Sequence, residues 1–284
     1  MKTSAWSRFC FTWMFVLGLV VSSLAQNQVA DIRPGAGSSN TAFEFVEFNG
    51  LMYFAADDGA NGKELWRSDG TMAGTMMVKD INTTGSSSPA QFCVAAGKLF
   101  FAANDGVNGT ELWVSDGTAL GTVLLKDLNT TTATASSFPT EMTAYDAAGS
   151  GVVFAATDGI EGRELYVSDG TPGGTGLLLD INPGGFPIFG PFQSNPVGFT
   201  RVGNLVFFSA KTETDGEELW VTDGSTANQV MDIFPGVSIL FSQPNSSSPR
   251  NLTAVGSFLY FTARTVDAAV NSSGDEELWA SDGT

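Results

Sequence analysis

The sequence predicts an all-β protein, a β-propeller of four-stranded antiparallel blades, on three observations. One phrase, Glu-Leu-Trp-x-Ser-Asp-Gly-Thr, returns along the chain. The second strand of each copy is a continuous apolar run. Gly, Asn and Asp turn residues separate four strand-length segments in the complete copies.

The phrase runs first from Glu64 to Thr71, then from Glu111 to Thr118, and from Glu164 to Thr171 with Tyr166 in place of tryptophan. It returns from Glu218 to Ser225 and from Glu277 to Thr284. Its glutamates stand 47, 53, 54 and 59 residues apart, the spacing of one copied supersecondary unit.

In the second copy, Phe92–Ala96 reads as a first strand and Leu99–Ala103 as a second. Thr110–Ser115 reads as a third, and Gly121–Leu128 carries a fourth. The Asp116-Gly117 turn reads as a type I′ hairpin, which needs positive φ at its centre. Asn49-Gly50, Gly97-Lys98, Gly203-Asn204 and Gly256-Ser257 mark the turns from first to second strands. Unbroken apolar second strands, such as Leu51–Ala55 and Val152–Ala156, mean that both sheet faces are covered, as when blades pack on one another. Trp66, Trp113, Trp220 and Trp279 share one repeat position, read as blade-to-blade packing. Asp223 and Asp232 stand closer together than Asp69 and Asp80, which predicts a tighter outer hairpin in the fourth copy.

The expected blades cover 41–82, 90–129, 138–182, 195–233 and 250–284 within one domain, 26–284. The fifth lacks a fourth strand. Residues 28–33 resemble the fourth-strand endings at Leu179–Gly184 and Val230–Gly236, so they are expected to supply it and close a five-bladed ring. The rival is a fragment of a longer array.

Lys2 and Arg8, the apolar run Phe9–Val21 and the ending Ser23-Leu24-Ala25 read as a secretory signal peptide over 1–25, with an uncleaved anchor as the alternative. Cleavage would remove Cys10 and leave Cys93, a small buried strand residue. It would also take the net charge from −17 to −19. So acidic a surface argues against nucleic acid and anionic lipid as partners. The expectation is a secreted chain, with no membrane span after cleavage and an extracellular protein or carbohydrate as partner.

The phrase, followed by Gly74-Thr75, Gly121-Thr122 and Gly174-Thr175, resembles the ELWxxDGT repeat proteins, secreted repeat proteins sometimes labelled hyalin-like. The resemblance covers the chain after its signal. It implies an extracellular binding or adhesive role, and transfers no activity residue by residue.

Loops joining second to third strands are rich in acid: Asp57, Asp58, Asp105, Asp158, Glu161, Asp215 and Asp275. Oxygen-rich loops suit calcium, the one cofactor considered, although the same aspartates serve as turn formers. Histidine is absent, which removes the Ser-His-Asp triad and the usual neutral-pH base. Phe186, Phe189 and Phe192, set among Gly and Pro, read as a plug folded onto the scaffold or as a ligand contact. Sequons stand at Asn82, Asn108, Asn129, Asn245, Asn251 and Asn271. The reading is a non-catalytic binding or adhesion protein. The alternatives are a glycosidase-type hydrolase acting through paired carboxylates and a structural matrix component.

Overall fold

The computed structural model describes residues 28–35, 37–39, 44–237, 243–265 and 275–284. The signal peptide read over 1–25 lies outside them, as do Asn271 and residues 41–43 of the first expected blade.

The repeat period becomes a row of antiparallel sheets. The first contains β1 (Phe45–Phe48), β2 (Leu51–Asp57), β3 (Lys63–Ser68) and β4 (Met76–Lys79), paired in chain order. The second contains β5 (Ala90–Ala95), β6 (Lys98–Asn104), β7 (Thr110–Ser115) and β8 (Val123–Lys126). The third contains β9 (Thr140–Ala144), β10 (Val152–Thr157), β11 (Arg163–Ser168) and β12 (Thr175–Leu179). A hairpin of β13 (Gly185–Phe186) and β14 (Gly190–Pro191) leads to the fourth, β15 (Val197–Val202), β16 (Leu205–Thr212), β17 (Gly216–Thr222) and β18 (Ala227–Met231). The fifth has three strands, β19 (Arg250–Val255), β20 (Phe258–Arg264) and β21 (Glu276–Ser281).

Consecutive sheets bury their facing sides, so the apolar second strands of the middle sheets, β6, β10 and β16, are covered on both faces. Leu99, Phe101 and Trp113 of the second sheet pack on Tyr53, Leu65 and Ile81 of the first. Phe154 and Tyr166 of the third pack on Phe100 and Leu112. Phe208 and Trp220 of the fourth meet Val153 and Leu165. Phe261 of the fifth meets Phe207 and Leu219. Trp113, Trp220 and Trp279 thus fill intersheet gaps, where a ring contributes about 150–250 Å² of buried surface, while Trp66 packs under Ile32. Cys93 is half-buried in β5, and burial pushes its thiol up to about 11.

The expectation of a closed propeller is corrected: the sheets do not close into a ring. Residues 28–33 form no strand and do not complete the fifth sheet. They lie on the first sheet instead, Ile32 against Phe54, Ala56 and Trp66 and Arg33 paired with Asp57 at 2.9 Å. Ile32, half-buried there, covers Phe54 and Trp66, and among the described residues no strand pairs with the free edge of β21.

The phrase itself is a hydrogen-bonded device. Asp69 Oδ1 accepts from the Thr71 N–H at 2.9 Å and the Thr71 hydroxyl at 2.7 Å, and Thr71 Oγ1 accepts from the Gly74 N–H at 3.0 Å. Ser68 Oγ lies 2.7 Å from Thr75 Oγ1, closing the turn. These bonds hold the Asp69 carboxyl below its ordinary value. The turn is therefore not a two-residue type I′ hairpin: seven residues separate β3 from β4, and of Asp69 and Gly70 only Gly70 has positive φ, 87°. In the fourth sheet four residues, 223–226, join β17 to β18, the tighter hairpin that the aspartate spacing predicts.

Its glutamate is a second device. Glu111 is fully buried and accepts from Leu128 N–H at 2.9 Å, Ser137 N–H at 2.7 Å and Ser137 Oγ at 2.6 Å. Glu64 with Ser87, Glu164 with Ser194 and Glu218 with Ser247 repeat the arrangement. The acid thus latches the third strand of one sheet to the connection entering the next.

Candidate functional site

The acidic loops between second and third strands of the first two sheets are identical turns. Asp58 Oδ1 accepts from the N–H groups of Ala60 and Asn61 at 2.9 and 2.8 Å, and its Oδ2 accepts from the Asn61 amide at 2.7 Å. Asp105 does the same with Val107 and with Asn108, whose amide is 2.7 Å from Oδ2. Each aspartate is a loop-closing acceptor already engaged by its own turn.

The third sheet breaks this pattern twice. Glu161 stands where Asn61 and Asn108 stand, so no amide donates to the second oxygen of Asp158. Asp158 Oδ1 still accepts from Ile160 N–H at 2.8 Å and Glu161 N–H at 2.9 Å. The Glu161 carboxyl lies instead against that of Asp180, just past β12. This contact, the Asp180 charge, some desolvation and the Asp158 charge all raise its affinity for a proton. A neighbouring carboxylate of like charge favours the protonated form of Glu161.

The second break is Tyr166 in place of tryptophan. Its ring is buried, 2% exposed, and its hydroxyl has no hydrogen-bond partner. Burial and the Asp158 carboxylate it faces push the phenol well above its ordinary value. Oδ1 of Asp180 is likewise buried without a partner, as are the matching oxygens of Asp80, Asp127 and Asp232.

The aromatic loop adjoins this cluster. The connection leaving Asp180 folds into the β13–β14 hairpin, and a Cβ placed on Gly162, next to Glu161, would strike the backbone oxygen of Phe192. Phe186 meets Phe189 edge-on at 6.2 Å and Phe192 edge-on at 5.2 Å. Phe186 and Phe189 are 58% and 85% exposed, so the hairpin projects and does not plug the scaffold.

Of the acids singled out in the sequence, Asp158 and Glu161 are brought together and the others are not. Asp57 pairs with Arg33, while Asp58 and Asp105 serve their turns. Asp215 acts on Asp232, whose proton affinity is raised first by burial and then by that charge. Asp275 follows residues 266–274, which lie outside the described set. Among the described residues, no group of three or more acidic, Cys or His side chains is arranged to hold a metal ion. Asp180 and Tyr166 complete the cluster without having been singled out as site residues; the exchange of tryptophan for tyrosine in the third copy was their one signal.

No protein-family model matches this sequence, and no curated protein matches it. Among solved structures the chain is similar to a puromycin hydrolase at 13% identity and TM-score 0.45, over 84% of this chain and 35% of that one. It is similar to a putative exo-beta-1,3-galactanase from Bifidobacterium bifidum s17 at 11% identity and TM-score 0.32, over 83% of this chain and 85% of that one. A prolyl endopeptidase structure is matched at 12% identity and TM-score 0.27, over 84% of this chain and 49% of that one. The chain spans about a third of the length of the puromycin hydrolase. These names are hydrolases, whereas the sequence reading expected a non-catalytic binding or adhesion chain. At such scores the likeness carries no chemistry, so any catalytic reading stands on this chain's own residues.

Proposed function

We propose that this chain is a carboxyl-dependent hydrolase of the glycosidase type, working at the β10–β11 loop of the third sheet. The observation that carries the reading is the convergence there of departures from the repeat: Glu161, Tyr166 and the phenylalanine hairpin. Acids copied equally into each unit serve the scaffold, whereas a catalytic group needs an environment of its own.

The chemistry follows from the pairing. Glu161, whose affinity for a proton is raised by contact with Asp180, is the general acid that protonates a leaving glycosidic oxygen. Asp158, with one oxygen anchored by two N–H groups and the other relieved of its amide, is the second carboxylate. Glu161 and Asp180 touch, which is closer than the about 5–9.5 Å that separates the two working carboxyls of glycosidases. Asp180 is therefore a positioning residue. The exposed rings of Phe186 and Phe189 offer flat apolar faces to a sugar, and an extracellular carbohydrate is the substrate class that suits them. Secretion, and kinship with the ELWxxDGT repeat proteins through the repeat residues, belong to the same reading.

The test is a panel of chromogenic glycosides and soluble polysaccharides given to the folded chain and to Glu161→Gln, Asp158→Asn and, as a surface control, Glu213→Gln. Hydrolysis lost by about 10²–10⁴-fold in the first two and kept in the control supports the assignment. Hydrolysis that survives Glu161→Gln, or none on any substrate, refutes it.

A further inference from the structure

The third sheet exchanges two residues of the repeat at once, and both exchanges bear on one carboxylate. In the first two sheets an asparagine amide, that of Asn61 or Asn108, donates to Oδ2 of the loop aspartate. The indole N–H of Trp66 or Trp113 is buried there without a partner. In the third sheet Glu161 replaces the amide, and among the described residues no group donates to Oδ2 of Asp158. The repeat ring in this sheet is Tyr166, and its buried, unpartnered hydroxyl faces that same aspartate.

The tyrosine ring is clamped between neighbours that fix where its hydroxyl points. In register it stands between Phe154 of β10 and Leu177 of β12. It tilts on the Phe154 ring at 5.8 Å and packs on Phe100 and Leu112 of the second sheet. The carboxyls facing the hydroxyl are those of Asp158, Glu161 and Glu164. Glu164 is committed to the N–H groups of Ile181 and Ser194 and to the Ser194 hydroxyl, and Glu161 lies against Asp180. That leaves Asp158, whose Oδ2 lacks the donor that its counterparts Asp58 and Asp105 have. A buried hydroxyl without a partner is costly, and a carboxylate oxygen is the strong acceptor that relieves it.

We propose that Tyr166 is the positioning residue of Asp158, its hydroxyl donating to Oδ2 in place of the asparagine amide of the first two sheets. Asp158 is then anchored through both oxygens, one by its own turn and one by a ring packed in the sheet interior, and its orientation is set before substrate arrives. Glu161, no longer needed to close the turn, is free to meet Asp180. The positioning role rests on the hydrolase reading of this site, whereas the hydrogen bond itself does not.

The test has two readouts. The first is carbon-13 NMR of the chain labelled at tyrosine Cζ, with the Tyr166 signal assigned by its loss in Tyr166→Phe. That signal is expected to move as the carboxyls titrate in the wild type and in Glu161→Gln, and to lose the movement in Asp158→Asn. A signal that stays still in the wild type, or that still moves in Asp158→Asn, overturns the inference. The second is turnover on a glycoside that the chain hydrolyses. Tyr166→Phe is expected to lower kcat by about 10–10²-fold with KM little changed, the rate equivalent of one hydrogen bond to a charged group. Tyr166→Trp restores the ring of the other sheets, whose N–H has no partner, and is expected to fold and to lose the same rate. An undiminished kcat in both variants overturns the positioning role and leaves the hydrolase reading standing. NMR coupling to Asp158 without hydrolysis of any glycoside sinks the hydrolase reading and supports the tyrosine–aspartate bond.

Discussion

Glu161 holds its carboxyl against that of Asp180, in the position where the first two loops of the series place an asparagine amide on their own aspartate. One change of side chain turns a self-satisfied turn into a pair of acids, and the consequences can be measured.

The Glu161 carboxyl titrates above the ordinary glutamate range because Asp180 faces it. Carbon-13 NMR of labelled protein is expected to show that raised titration, and Asp180→Asn, which removes the charge, is expected to bring it down. An ordinary value in both proteins would mean that the carboxyls are not coupled.

Stability falls as pH rises through the glutamate range. Burial raises Glu111 from 4.5 to about 7, and it raises Glu64, Glu164 and Glu218 in the same direction. The folded state therefore binds these protons more tightly than the unfolded chain. The contribution is fully present below about 4.5 and is lost as pH climbs toward about 7. The turn aspartates act oppositely: hydrogen bonds lower Asp69, Asp116 and Asp169, and lower Asp223 to about 2. Their contribution is present above the ordinary aspartate value and is lost in stronger acid. Thermal melts across pH are expected to peak in mild acid, and Glu111→Gln is expected to flatten the decline on the neutral side.

Ser137→Ala removes two things from a buried acid, a hydroxyl donor at 2.6 Å and the packing around it, while the Ser137 N–H remains. A hydrogen bond to a charged group contributes about 1.5–3 kcal/mol, and urea unfolding at a pH above about 7, where Glu111 is ionised, is expected to show a loss of that size. Ser136→Ala, whose hydroxyl serves only Thr110 N–H, is expected to cost less.

Gly121→Ala drives a methyl into the Asp116 carboxyl, since a Cβ there has no room beside that side chain. A loss of about 1–3 kcal/mol in unfolding free energy is expected, as for other overpacked sites. Gly173→Ala, with nothing within 4 Å, is the neutral comparison.

Much of the scaffold was legible because the repeat aligns copies whose residues solve the same local problem. The alternation of turn glycines with apolar runs located the strands, and the shared tryptophan position located the intersheet packing. Closure was not legible. The likeness of residues 28–33 to a fourth strand records the position they take against the first sheet, where Ile32 does what Ile81 does on the second, but it does not report whether β21 comes within reach. The glutamate latch was hidden because its partners, Ser87, Ser137, Ser194 and Ser247, lie far along the chain in connections of unequal length. Reading each acidic loop as an equal candidate for calcium obscured the loop that sets two carboxyls against each other. Glu161 was visible, but its partner Asp180 arrives from the other end of the unit.

The most direct test of the central claim is the rate of reducing-sugar release against pH for the wild type and Glu161→Gln, on the best substrate of the glycoside panel. The account predicts a wild-type rate that declines on the alkaline side as Glu161 loses its proton, and a variant in which that limb and most of the rate are gone. An unchanged profile in Glu161→Gln would contradict it.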